Sequence, residues 1–126
     1  MDSVLRGIRG ATTIDADLPE QVTERTQTLI RELISANGIA HDDIVSMIFT
    51  VTADIKSGFP ATAARAMGLT DIALLGAVEA EIKGAPPRCI RVLVHCYSTR
   101  SHGELRHIYL EGAKHMRADI ASRAAT

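Results

Sequence analysis

Pro86-Pro87-Arg88-Cys89-Ile90-Arg91-Val92-Leu93-Val94-His95-Cys96 reads as a turn that delivers the chain into a buried strand. Between the two cysteines every residue except Arg91 and His95 is apolar, and Ile90, Val92 and Val94 are β-branched, the residue type a pleated surface packs best. Arg91 stands in the middle of this run. A guanidinium keeps its charge, so inside a strand it either snorkels to the sheet edge or meets an anion. We read Arg91 as awaiting an anionic ligand; the plain alternative is a buried salt bridge with Glu79 or Glu81.

Outward from this strand the chain alternates strands and helices. Val4 to Thr13 alternates as a first strand, with Leu5, Gly7 and Arg9 on one face and Val4, Arg6 and Ile8 on the other. Gly7 and Gly10 mark a place where something approaches the backbone closely or where the strand bulges, the plain alternative being a solvated edge strand. Asp17, Pro19 and Glu20 form a helix start, Val22, Leu29, Ile30, Leu33 and Ile34 recur at helical spacing, and Gly38 supplies the stop. Ile44 to Thr52 is the most strand-like segment. After a loop, Phe59-Pro60 opens a short helix from Ala61 to Met67, with Phe59 read as a hydrophobic staple in preference to an aromatic lid. Ile72 to Leu75 is a short third strand, and Gly76 to Ile82 has no clear period. Within it Glu79 and Glu81 share a face only if the segment is extended. Tyr97 to Gly103 is loop-like, Glu104 to Leu110 is a fifth strand with Tyr109 on the face of His107, and the tail from Gly112 reads as a loose helical turn or two. The pattern is a single α+β domain spanning residues 1–126, a mixed β-sheet in β-α-β-α-β-β order with helices packed on one face, the tail after about residue 112 being mobile.

Composition narrows the function. The 126 residues, 46% hydrophobic, suit one core, and with no Trp, two Phe and two Tyr that core is aliphatic. A formal net charge of -1 offers no general attraction to nucleic acid or an anionic membrane, so neither is an expected partner. The N-terminus enters a strand pattern directly and no stretch is apolar enough to span a bilayer, which points to a cytoplasmic protein. Cys89 and Cys96, seven apart on one strand, face opposite sides and are read as buried free thiols. No Gly-rich phosphate loop follows a strand, the five histidines form no ligand pair, and no Ser or Cys sits in a nucleophile elbow. No metal and no cofactor are therefore expected. Arginines on strands, one carboxylate before a turn, one aromatic before a helix and one late tyrosine fit a site for a small polyanion, because guanidinium groups bind carboxylates with paired hydrogen bonds.

These residues resemble the trimeric α/β class of monofunctional chorismate mutases, the Bacillus type. The resemblance runs from Arg6-Gly7-Ile8-Arg9-Gly10-Ala11-Thr12-Thr13 through Cys89-Ile90-Arg91-Val92 to Arg106-His107-Ile108-Tyr109-Leu110-Glu111. It implies an intramolecular [3,3] rearrangement of chorismate to prephenate, without cofactor, nucleophile or proton transfer, by a homotrimer that forms a pseudo-α/β barrel with sites between subunits. It also implies roles. Arg91 would donate to the ether oxygen and the side-chain carboxylate, Arg9 would bind that carboxylate with Tyr109 adding its hydroxyl, and Glu79 would face the ring. Phe59 would pack on the ring, Arg65 would guide the ring carboxylate, Arg117 would help close the entrance, and Ala61 and Leu75 would line the wall. The chain departs from well-known members at Gly76, where they carry a thiol, and at Thr62, where some carry a lysine. A non-catalytic trimer that binds an anionic metabolite is the alternative; it needs Arg9, Arg91 and Tyr109 but not Glu79 facing a ring.

Overall fold

The computed structural model describes residues 2–116. Its elements are β1 (Val4–Thr13), α1 (Pro19–Asn37), β2 (Ile44–Val51), α2 (Pro60–Ala66), β3 (Ala73–Val78), β4 (Cys89–Ser98) and β5 (Ile108–Tyr109), with single 3-10 turns at His41–Asp43, His102–Glu104 and Glu111–Ala113. The strands form one mixed sheet in the order β3-β2-β4-β1-β5. β4 runs antiparallel to both of its neighbours, β1 and β2, while β3 and β5 add parallel edges. The strand around Arg91 is thus the centre of the sheet, and the architecture is a single α+β domain in β-α-β-α-β-β-β order, one strand more than the expected β-α-β-α-β-β because the short β5 pairs with β1.

Both helices lie on one side. α1 buries Val22, Thr26, Leu29, Ile30 and Leu33; Leu29, Ile30 and Leu33 join Ile8, Met47, Phe49, Val92, Val94 and Cys96 from the sheet in one core cluster, and Val22 packs with Ile14, Ile55 and Ile90 in another. Close approach is made possible by Gly10, whose missing Cβ would stand 2.8 Å from a Leu33 methyl and 3.0 Å from one of Leu29. β1 is therefore no solvated edge: its glycine is where the helix touches the sheet. Gly38 ends α1 in the left-handed region at φ 59°, and the amides that follow bond back to Ile34 and Ser35 carbonyls. Asn37, the last residue of α1, takes the Arg106 amide on its side-chain oxygen and donates to the Arg106 carbonyl, which sets the path of the chain into β5.

Several local expectations give way. Asp17 does not cap α1, whose N-cap position is Leu18; its carboxylate instead accepts the amides of Lys56 and Ser57, tying down the loop before α2. Phe59 is no staple, since it is 74% exposed. The run of unclear period from Gly76 continues β3 to Val78, because six residues of β3 pair in register with β2. The fifth strand shrinks to two residues, the segment before it folding into a turn closed by a Ser101–Glu104 capping box.

Among the described residues, the other side of the sheet carries no α-helix. Register places residues on it in rows: Ala77, Thr50, Arg91, Ala11 and Tyr109 across all five strands; then Leu75, Ile48, Leu93 and Arg9; then Ala73, Ser46, His95 and Gly7. Leu5 and Tyr97 extend it, and Leu5, Tyr97 and Leu75 are exposed. Cys89 faces this side and Cys96 the helical core; both are free and buried, and burial pushes both thiols up.

Candidate active site

Arg91 sits where the central row crosses β4, between Thr50 on β2 and Ala11 on β1. Its side chain is 39% exposed, so the guanidinium tip reaches solvent. Its Nε is buried and has no hydrogen-bond acceptor among the described residues. That is costly for a charged donor unless a ligand completes it. Glu79 follows β3 directly, its amide held by the Val51 carbonyl at 2.8 Å, which continues the β3 pairing one residue further. Its carboxylate turns toward the row: Oε2 accepts from the Thr50 hydroxyl and lies 3.7 Å from Arg91 Nε. The salt bridge considered as an alternative for Arg91 is thus present as an ion pair at 3.7 Å, without a direct hydrogen bond between the two groups.

Arg9 shares the bare face one row away, opposite Leu93, and is exposed. Its backbone amide donates to His107 Nδ1 at 3.0 Å, which anchors β1 to the approach of β5. Tyr109 stands opposite Ala11 in the row of Arg91. It packs with Ala11, Cys89, Ala113 and Met116, a small cluster that folds the segment after β5 over this end of the face. Neighbouring strands are about 4.8 Å apart and alternate residues along a strand about 7 Å apart. Arg91, Arg9, Tyr109 and Glu79 all stand on the same face of the sheet, spread across its five strands.

The remaining residues lie elsewhere. Phe59, Ala61, Arg65 and Leu75 line an open groove of about 800 Å³ between α2, the start of α1 and the β3 edge, with Thr62 and Gly76 on its wall. Arg65 reaches only the Thr62 hydroxyl, at 3.3 Å. None of Arg9, Glu79, Arg91 or Tyr109 lines that groove. The expected residues therefore fall into two separate groups, a charged one on the bare sheet face and an aromatic and cationic one beside α2. Arg117 lies outside the described residues. The residue that sequence reasoning missed is Thr50. Nothing in its local sequence marks it, and only the register of three strands sets it between Arg91 and Glu79.

The arrangement can grip an anion with guanidinium groups and face it with one carboxylate; the nearby Cys89 thiol is buried and its pKa is raised by burial, which makes it a poor nucleophile. Comparison with known proteins agrees with this chemistry. The family described as chorismate mutase type I matches residues 5–120. The chain is 41% identical over 120 residues to the chorismate mutase AroH of Thermus thermophilus, covering 94% of this chain and 98% of that protein. It is 32% identical over 119 residues to the chorismate mutase AroH of Bacillus subtilis strain 168, covering 94% of each. A solved chorismate mutase from Clostridium thermocellum superposes with a TM-score of 0.84 at 42% identity, over 86% of this chain and 97% of that one. The resemblance carried by Arg6–Thr13, Cys89–Val92 and Arg106–Glu111 is the real relationship: the chain belongs to the type I chorismate mutase family.

Proposed function

We propose that this chain is a chorismate mutase, rearranging chorismate to prephenate for aromatic amino acid biosynthesis, and that it works as a homotrimer with its sites at subunit junctions. The observation that carries the reading is that Arg91, Arg9, Tyr109 and Glu79 share a sheet face which, among the described residues, is covered only at its Tyr109 end. The apolar rows beside them, with Leu5, Leu75, Leu93, Ile48 and Tyr97, are what a second copy would cover. The groove with Phe59, Ala61 and Arg65 would then complete a neighbour's charged half-site. No helix among the described residues is long and apolar enough to cross a membrane, and a cytoplasmic place of work follows as part of the same proposal.

The chemistry asks for little beyond position and charge. In the rearrangement one C–O bond breaks as one C–C bond forms, the electrons move in a ring, and nothing leaves. The substrate is a flexible dianion whose reactive conformer is compact, and negative charge grows on the ether oxygen as the ring becomes electron-poor. Arg91, with a free donor at Nε and an exposed tip, would donate to that oxygen. Arg9 and Tyr109 would hold the side-chain carboxylate, fixing the conformer. Glu79 would accept from the ring hydroxyl and face the ring, while Phe59 and Arg65 of the neighbour would close over the ring and its carboxylate, Ala61 and Leu75 lining the wall. Arg117 would act at the entrance. A charged donor aimed at developing charge in a water-poor site is worth about 3 kcal/mol or more, roughly a hundredfold in rate. The binder reading has no observation of its own to favour it.

The test is the loss of chorismate absorbance on adding purified protein, with prephenate identified as product and mass in solution measured alongside. Turnover by a species of three chains is expected. A folded protein that leaves chorismate unchanged would overturn the activity, and a monomer at micromolar concentration would overturn the assembly.

A further inference from the structure

Thr50 occupies the one position on β2 that pairs with Ala77 of β3 and with Arg91 of β4 in the same row. Its hydroxyl donates to Glu79 Oε2. The same oxygen stands 3.7 Å from Arg91 Nε, and that Nε is buried without an acceptor. A guanidinium and a carboxylate at this separation attract strongly and ordinarily close into direct hydrogen bonds. Here they do not, and the Glu79 oxygen nearest Arg91 is the one that accepts the hydrogen bond of the Thr50 hydroxyl. A closed Arg91–Glu79 pair would spend the cation on its own protein and swing the carboxylate away from the ligand.

We propose that Thr50 is a positioning residue whose hydroxyl holds Glu79 apart from Arg91, leaving the Nε donor open for the oxygen that gains charge and the carboxylate aimed at the ring. The inference rests on the mutase reading above. Thr50 touches no reacting atom; it acts through Glu79. A threonine in a strand could instead be present only for its β-branched shape, and the two roles separate by chemistry. Thr50→Val keeps that shape and removes the donor, whereas Thr50→Ser keeps the donor and gives up the methyl.

The experiment measures kcat and KM for chorismate in wild type, Thr50→Val and Thr50→Ser, each also in a Glu79→Gln background, with melting and assembly followed in parallel. Thr50→Val should lower kcat about ten- to a hundredfold, the range for losing a hydrogen bond to a charged group. It should change KM much less and leave the melting transition in place. Thr50→Ser should recover kcat to within a few-fold. In the Glu79→Gln background, where the pair has no charge to drive its closure, Thr50→Val should cost little more. If Thr50→Val does not fold, Thr50→Ala replaces it with the same expectation. A Thr50→Val enzyme with wild-type kcat, an equal loss in Thr50→Ser, or a loss that persists undiminished with Glu79→Gln would overturn the inference while leaving the mutase reading intact. A folded wild type with no turnover of chorismate would overturn that reading itself.

Discussion

Gly10→Ala tests how the helix layer is seated on the sheet that carries the site. The added methyl would stand 2.8 Å from Leu33 Cδ1, 3.0 Å from Leu29 Cδ1 and 3.3 Å from Val92 Cγ1. Leu29 and Leu33 are fully buried and Val92 nearly so, so none of these groups has open space to move into. Forcing an extra carbon into such a core costs about 1–3 kcal/mol through displaced side chains and backbone. Replacing glycine in a strand returns roughly 0.5–1 kcal/mol of chain entropy. The net is a destabilisation of about 1–2 kcal/mol, or a melting point lower by roughly 4–10 °C in a domain of this size. Because Arg9 is the adjacent residue on β1, any shift of the strand also moves a group proposed to bind substrate, and kcat/KM should fall more than stability alone explains. The assay is denaturant unfolding at fixed protein concentration, with Gly103→Ala as comparator. A Cβ at Gly103 meets nothing within 4 Å. Gly10→Ala with the stability of wild type, or no worse than Gly103→Ala, would refute the close-packing argument.

Other consequences concern the exposed Phe59 ring, the Asp54 loop and the bare face. Phe59→Ala removes an exposed ring that contributes nothing to the core, so stability should change by less than about 0.5 kcal/mol while KM for chorismate rises. A large loss of stability would restore the staple reading. Leu93→Glu places a charge in the middle of the row formed with Leu75, Ile48 and Arg9, and light scattering should find monomers with native circular dichroism and little activity; an intact trimer would contradict the proposed assembly. Asp54 accepts hydrogen bonds from the Thr52 hydroxyl and the Arg88 amide. These hold its carboxyl below the ordinary value, the Thr52 hydroxyl contributing most. A depressed folded-state pKa contributes stability that is present above the unfolded value near 3.9 and is lost as pH falls through the folded value. Wild type should therefore lose stability on acidification below about pH 4 more steeply than Asp54→Asn; parallel pH profiles of the two melting points would show that Asp54 contributes nothing there.

Much of the molecule was legible one segment at a time. The period of Val22, Leu29, Ile30 and Leu33 and the stop at Gly38 describe α1 as it stands, and the β-branched run around Arg91 is the central strand. Gly10 signalled a close approach, although not that α1 is what approaches. What local pattern could not carry was pairing. The end of β3 is made by hydrogen bonds to β2, so Gly76 to Val78 showed no period of its own but is strand. Asp17 has the look of a helix cap and serves a loop some forty residues away, because a carboxylate takes whichever amides the fold presents. Phe59 has the look of a staple and stands in solvent beside the groove. The same limit hid Thr50, whose importance comes wholly from the two strands on either side of it.

The central claim is that Arg91 holds its cation open for charge that appears only as the C–O bond breaks. Turnover of chorismate by Arg91→Ala, measured beside wild type on protein shown to be folded and assembled, tests it most directly. The account predicts a kcat lower by about a hundredfold or more, with melting and subunit number unchanged. A folded Arg91→Ala trimer that turns chorismate over at the wild-type rate would contradict it.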